Sequence, residues 1–300
     1  MPVIVPDKLP AIDILKQEHI VVLSNKNIPK YNNSYKIINI LLLNLMYKKI
    51  DTENQIIRLL SYSPLYIKLT LLYIHDIQSH NINSLKHTKK FYYTLEQIMH
   101  KKYDGLIITG APLGLIPFSK IRYWNDFVRI IYWSKEHVHS ILSFCWSVQA
   151  ILYILYNIPK CIRNTKLLGI FKHKIVLKNN LLVQGFDDYF FAPHSRYADF
   201  SLDIIKNYTD LNIISYSKEA GVYLCTTYNK KYIFITGHPE YDFNTIAKEY
   251  FNDLKKNNKI HIPYNYFTKN NIFSKPINTW KSHGYLLFSN WIHNFIYINK

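Results

Sequence analysis

The sequence predicts an α/β fold: a mostly parallel sheet flanked by helices, with antiparallel additions in the C-terminal half, in a single domain over residues 1–300. Three observations carry that reading. Continuous apolar runs such as "INILLLNL" have the pattern of strands buried on both faces, which parallel sheets require. These runs alternate with helical patterns, implying parallel pairing and right-handed crossovers. After Pro159 the alternation gives way to short strands in succession, the pattern of antiparallel pairing.

Residues 38–45 are the first buried strand, and "DTENQIIRLLSY" follows as a helix, with Thr52 and Gln55 spaced as a capping box. A strand is expected over 66–74, a polar loop over 79–90 and a short helix near "YYTLEQIMHKK". "DGLIITGAP" is a strand running into a Gly-Ala-Pro turn, and "YWNDFVRIIYWSKEH" is a helix. "SILSF" is a strand, and "WSVQAILYILYNIP" is a helix ended by proline. Beyond it, "LLGIFKHKIVLKNNLLVQGF" reads as antiparallel strands and "DDYFFAPHSRYADF" as an ordered loop. "LNIISYS", "VYLCTTY" and "KYIFITG" are short strands, "NTIAKEYFNDLKK" is a helix, and "TWKSHGYLLFSNWIHNFIY" is a terminal amphipathic helix. No internal repeat or Gly/Ser/Pro-rich linker interrupts the chain.

At 300 residues and 48% hydrophobic content the chain can bury a large core. Its net charge of +17, from 37 Lys+Arg against 20 Asp+Glu, would ordinarily point to a polyanionic partner. The charges are scattered singly, however, and travel with an excess of Ile, Asn and Tyr, residues with A/T-rich codons. Mutational bias accounts for that pattern, so a nucleic-acid partner is not expected. Cys145, Cys161 and Cys225 form neither a metal-ligand spacing nor a disulfide framework, which fits a reducing compartment. The first residues lack a signal-peptide pattern, and the longest apolar run is about half a membrane span. A cytoplasmic protein without membrane attachment is expected.

The stretch "SFCWSVQA" places Cys145 where a strand turns into a helix. A thiol there faces unpaired backbone N–H groups and the positive end of the helix dipole, which favours thiolate. A buried free cysteine is ordinarily a small hydrophobe. Position at a strand end, where open parallel sheets bind ligands, argues for a nucleophile instead. So does a second strand end, "ITGHPE". His238 would take the thiol proton. Glu240, two residues on and therefore on the same side of extended chain, would orient the imidazole. "ITGAPLG" supplies a third strand end.

"TGAPLGL", "FCWSVQA", "GFDDYFFAPHSRYADF" and "TGHPEYD" resemble the homoserine O-succinyltransferase family. The likeness continues through "VPDKLPA", "NLMYKKIDTENQ", "SPL", "IPYNYF" and "SHGYLLFSNW", over nearly the whole chain. It implies a class I glutamine amidotransferase-like fold with a Cys145–His238–Glu240 triad. The implied reaction is succinyl transfer from succinyl-CoA to the hydroxyl of L-homoserine through a Cys145 thioester, giving O-succinyl-L-homoserine for methionine biosynthesis. A homodimer is implied, with succinyl-CoA as co-substrate and no metal or bound organic cofactor. The backbone N–H of Trp146 and one from the "GAPLG" turn are candidate oxyanion donors.

Three further residues carry over by match. Gly114 stands where the family discriminates acyl donors, a small residue admitting the succinyl carboxylate and a Glu favouring acetyl transfer. Lys166, in "RNTKLLG", matches a substrate-contacting lysine. Ser195, in "PHSRYADF", matches a residue that contacts substrate and influences selectivity. The chain departs from the family at Asn252, where a substrate-binding arginine is usual, and at Tyr47 and Lys281. An arginine fork lost to an amide removes a bidentate carboxylate contact and bears on affinity.

The nearest alternative is homoserine O-acetylation from acetyl-CoA, against which Gly114 speaks. A glutaminase is a second alternative, opposed by the family-like C-terminal region. A noncatalytic, basic nucleic-acid-binding protein is a third, opposed by the intact triad residues. His137 and His139, beside Glu136, read as surface residues rather than metal ligands. Cys161 and Cys225 have no visible base partner, and the many aromatics read as packing.

Overall fold

A computed structural model of the chain describes residues 2–27, 36–75, 82–208, 210–256 and 260–298. The chain divides into two compact units: one of residues 1–112, 116–143 and 288–300, the other of 113–115 and 144–287.

The first unit holds β1 (Val3–Val5), α1 (Ala11–Lys16), β2 (Val22–Ser24), β3 (Ile37–Leu43), α2 (Lys49–Leu60), β4 (Tyr66–Leu72), α3 (Ile82–Phe91), β5 (Tyr92–Tyr93), α4 (Leu95–Ile98), β6 (Tyr103–Ile108), α5 (Trp124–His137) and nearly all of β7 (Val138–Phe144). Its strands lie in the order β2-β1-β4-β3-β6-β7, with β5 on β4. The ladders β1–β2, β1–β4, β3–β4, β3–β6, β4–β5 and β6–β7 are parallel, as in Ile40 opposite Gly105 and Leu106 opposite Ile141. Ile38 and Ile40 to Leu43 are fully buried, which is why β3 reads as an unbroken apolar run.

The capping box expected at Thr52 and Gln55 is not there. Helix α2 starts earlier, at Lys49, and Thr52 Oγ1 donates back to the Lys48 carbonyl. The buried Lys49 ammonium donates to the Asn44 carbonyl, so the chain turns into the helix before Thr52 is reached. A capping box does open α4, where Gln97 accepts from the Thr94 amide at 2.9 Å. The helix near "YYTLEQIMHKK" shrinks to that one turn. The expected loop over 79–90 is instead α3 from Ile82 onward, anchored by buried His87 and Phe91 one turn apart. Residues 79–81 lie outside the described residues.

The second unit holds α6 (Trp146–Tyr156), β8 (Cys161–Ile175), β9 (Tyr189–Asp199), α7 (Leu202–Lys206), β10 (Leu211–Ser217), β11 (Gly221–Thr227), β12 (Tyr232–Ile235), α8 (Thr245–Lys255) and most of α9 (Lys281–Asn290). Its strands run in the order β12-β11-β10-β8-β9, with antiparallel ladders. The segment "DDYFFAPHSRYADF" is therefore a strand, not a loop. The long β8 offers it a partner from Lys174 opposite Tyr189 to Cys161 opposite Asp199, and that ladder outweighs the loop signal of its Asp-Asp and Pro. Within "LLGIFKHKIVLKNNLLVQGF" only β8 is a strand, and a 3₁₀ turn at Leu181–Val183 follows. Helix α8 packs Ile246 and Tyr250 into one core cluster with Leu168 and Ile170 of β8 and with Tyr241, Tyr266, Phe267 and Trp280.

The expected amphipathic terminal helix changes winding. It is α-helical to Asn290 and π-helical over Trp291–Tyr297. Its π part buries Trp291, Ile292, Asn294, Phe295 and Ile296. The i→i+5 hydrogen bonding of a π-helix brings Trp291 and Ile296, five residues apart, onto one face. Both lie over Gly105 of β6, where a Cβ would stand 2.8 Å from Ile296 and 2.9 Å from Trp291. Among the described residues no helix is long and apolar enough to cross a membrane.

Candidate active site

Cys145 links the last residue of β7 to the first of α6. Its backbone has φ 50° and ψ −110°, a conformation that costs a non-glycine residue about 1–3 kcal/mol. The surroundings hold it there. Its amide donates to the Ile235 carbonyl at 2.8 Å, and the Val148 amide donates to its own carbonyl at 3.2 Å. Ser147 Oγ accepts from the Phe144 amide and donates to the Phe144 carbonyl, closing the turn locally. The thiol is buried and lies 3.9 Å from the Ser195 carbonyl. Trp146, almost wholly buried, begins α6, so its amide is among the N–H groups at the helix start.

His238 lies three residues beyond β12. Its backbone amide donates to the Pro193 carbonyl at 2.9 Å, and Tyr241 stacks on its ring with centroids 4.1 Å apart. Glu240 Oε1 is 2.7 Å from His238 Nδ1, with both side chains buried. This pairing leaves the other ring nitrogen for the thiol. Burial alone would favour the neutral ring, but the Glu240 charge, with the charge and hydrogen bond of Cys145, outweighs it and pushes the imidazole up to about 10.

A second cluster adjoins this one. Lys166 comes from the irregular stretch of β8 between Ile162 and Leu167, where a shift of register re-aims the side chain. Its ammonium is 2.7 Å from Asp253 and 3.6 Å from Glu249, both on α8. Ser195 Oγ donates to Glu249 Oε2, and Tyr241 Oη donates to Glu249 Oε1 at 2.7 Å. Glu249 thereby joins Lys166 and Ser195 to the tyrosine stacked on His238. Sequence reasoning singled out neither Glu249 nor Asp253. Their i, i+4 spacing was the available signal, since it puts both on one helix face.

Asn252 is exposed, one position before Asp253. Gly114 packs on β9, where a Cβ would find Ala198 and Tyr197 at 3.6 and 3.9 Å, and its carbonyl accepts from Lys160 at 2.7 Å. Gln149 of α6 donates to the Ala198 carbonyl on the same strand. Of the "GAPLG" turn, Leu113 and Gly114 belong to the unit that holds Cys145. The other cysteines differ in kind. Cys161 is exposed, and burial, with Asp210 nearby, pushes the Cys225 thiol up to about 12. His137 ends α5, stacked on Trp133, and His139 is an exposed residue of β7.

A buried cysteine at a strained strand-to-helix turn beside a His–Glu pair lies on a mixed and mostly parallel α/β scaffold, a glutamine amidotransferase-like fold. Solved structures agree on the fold. A glutamine amidotransferase from Thermotoga maritima matches with a TM-score of 0.56 and 13% identity, over 86% of this chain and 98% of its own. A glutamine amidotransferase from Methylobacillus flagellatus matches with a TM-score of 0.52 and 9% identity, over 87% and 96%. At sequence level, a profile of the homoserine O-succinyltransferase family matches residues 2–300. Homoserine O-succinyltransferases of Photorhabdus laumondii and Erwinia tasmaniensis are each 48% identical over 297 residues, covering 99% of this chain and 95% of theirs. The chain belongs to the homoserine O-succinyltransferase family.

Proposed function

We propose that the chain transfers succinyl from succinyl-CoA to the hydroxyl of L-homoserine, with Cys145 as nucleophile, His238 as acid–base and Glu240 as the group that orients and charges His238. One observation supports this above the others: the buried 2.7 Å His238–Glu240 pair, whose imidazole Cys145 also helps to hold in its charged form. His238 takes the thiol proton, and the Cys145 thiolate attacks the thioester carbonyl. The tetrahedral oxyanion collapses, breaking the bond to the coenzyme A sulfur, which leaves with the proton held by His238. A succinyl-Cys145 thioester remains. His238 then takes the homoserine hydroxyl proton while that oxygen attacks the thioester. Collapse releases O-succinyl-L-homoserine and the Cys145 thiolate, and the proton returns to the thiolate–imidazole pair.

The Trp146 amide is our candidate donor to both oxyanions, an interaction whose loss typically costs on the order of 100-fold or more. Lys166 is the cation available for a substrate carboxylate, held ready by Asp253 and Glu249, with Ser195 beside it. Gly114 leaves room beside β9 for the succinyl carboxylate. Thiolate, imidazole and carboxylate complete the reaction without a metal or organic cofactor. We further take the enzyme to act in the cytoplasm as a homodimer, which sedimentation of the purified chain tests.

Intact-protein mass spectrometry after mixing with succinyl-CoA or acetyl-CoA, without homoserine, tests the core of the reading. A succinyl adduct that requires Cys145 and disappears on adding homoserine is the expected result. An adduct that survives in Cys145→Ala would remove the nucleophile assignment, and a preferred acetyl adduct would reassign the donor.

A further inference from the structure

Strand β9 has two faces. Residues 190, 192, 194, 196 and 198 are buried, whereas Ser195 and Tyr197 alternate with them, half-buried beside Glu249 and Lys166. The buried face carries a polar ladder that no step of the reaction uses. Arg196 Nη2 donates to Asp199 at 2.9 Å and to the Ala220 carbonyl. Arg196 Nη1 reaches His194 Nδ1 and the Thr236 carbonyl. His194 Nε2 is 3.1 Å from His173 Nε2 on β8.

The order of protons along this ladder follows from chemistry. A guanidinium only donates, so His194 Nδ1 must accept and its Nε2 must carry the hydrogen. That hydrogen goes to His173 Nε2. Burial and the Arg196 charge favour the neutral form of both rings, holding His173 down to about 3 and His194 well below an ordinary imidazole. The ladder therefore runs in one direction and admits one arrangement of protons.

It also touches the elements that deliver the catalytic pair. His194 seats against Gly237, where a Cβ would stand 3.0 Å from its ring and 2.7 Å from the Pro193 carbonyl. The next residue is His238, whose amide is bound by that same Pro193 carbonyl. Arg196 holds the carbonyl of Thr236, and the Ser195 carbonyl faces the Cys145 thiol.

We propose that His194 and Arg196 are positioning residues for the acyl transfer, fixing β9 in the register at which its Pro193 and Ser195 carbonyls hold the His238 backbone and the Cys145 thiol. The inference rests on Cys145 and His238 being the catalytic pair. It makes the separation of thiol and imidazole a property of side chains that touch no substrate, and a shift of about 1 Å in such a separation can cost on the order of 100-fold.

The test compares His194→Leu with His194→Gln. Gln can accept from Arg196 through its carbonyl and donate to His173 through its amide, restoring the direction of the ladder. Leu can do neither. The readout is the rate of Cys145 acylation by saturating succinyl-CoA in the absence of homoserine, together with the KM for each substrate. We expect His194→Leu to lose about 10- to 100-fold in acylation rate with both KM values within about twofold, and His194→Gln to recover most of it. Arg196→Lys keeps the charge near Asp199 but cannot make all four contacts. It is expected to show the same rate loss if His194→Leu does not fold. Wild-type acylation in His194→Leu or Arg196→Lys, or equal losses in His194→Leu and His194→Gln, would overturn the inference. Cys145→Ala is run in parallel. An adduct in that variant would overturn the catalytic reading beneath it, a result separable from either failure of the ladder.

Discussion

His238 holds its proton up to about 10, against 6.5 for an ordinary imidazole, because Glu240 and Cys145 together outweigh the cost of burying its charge. A group whose folded pKa is raised contributes stability that is complete below its unfolded pKa and is lost as pH rises through the folded one. The stabilisation from His238 is therefore expected in full below about pH 6.5 and gone by about pH 10. In Glu240→Gln the leading attraction disappears while burial and Cys145 remain, which lowers the pKa of the ring. Urea midpoints of wild type and Glu240→Gln should differ most near pH 6 and converge toward pH 10. A difference that does not change with pH would show that the pair is not coupled in this way. The same variant should keep substrate binding largely intact while slowing the chemistry, which a KM-against-kcat comparison reads. Gly114 is the other residue whose chemistry can be reversed singly. The Cβ of Gly114→Glu fits at ordinary contact distance from Ala198 and Tyr197, so the fold should survive. A carboxylate there should repel the succinyl carboxylate, lowering the ratio of succinyl to acetyl transfer by about tenfold or more. An unchanged ratio would remove Gly114 from donor selection.

At the scale of elements, Gly105 shows how tightly the terminal helix is specified. Gly105→Ala would drive a methyl to within 3 Å of Trp291 and Ile296, and a rigid indole cannot yield cheaply. Overpacking of this kind costs about 1–3 kcal/mol, measurable by urea denaturation. A neutral result would mean that the π-helical turn repacks freely. The π winding itself was not legible in sequence, because the apolar spacing of "NWIHNFIY" serves an α-helix equally well. Elements with one strong local signal were legible. Buried β3 announced itself by its apolar run, and Cys145 by standing between an apolar strand and a proline-ended helix. Elements decided by distant partners were not. Strand β9 contains Pro193 and two aspartates just before it, so its local signal is a loop, and only pairing with β8 makes it a strand. Helix α3 is mostly polar and depends on burying His87 and Phe91. The candidate site divides in the same way. Cys145, His238 and Glu240 were readable from position, whereas Glu249 and Asp253 look like ordinary helix-surface acids until Lys166 and Ser195 are brought to them.

At the scale of the whole molecule, the net charge of +17 belongs to no single site. Lysines are spread along the chain, which is why the charge does not read as a nucleic-acid surface. A diffuse positive field still acts on a diffusing polyanion, and coenzyme A thioesters carry several phosphate charges. Such a field raises encounter rates and is screened once the Debye length falls to about 10 Å, near 0.1 M salt. Homoserine is a zwitterion without net charge and feels almost none of it. Raising ionic strength from roughly 20 to roughly 200 mM should therefore lower kcat/KM for succinyl-CoA several-fold while leaving kcat/KM for homoserine nearly constant. In a two-step transfer through an acyl-enzyme these two constants report separate half-reactions, so the asymmetry is measurable within one set of initial rates. Equal salt dependence for both substrates would place the effect on the protein itself rather than on encounter. No dependence for either would mean that the charge comes from the composition of the chain and has no part in capturing the donor.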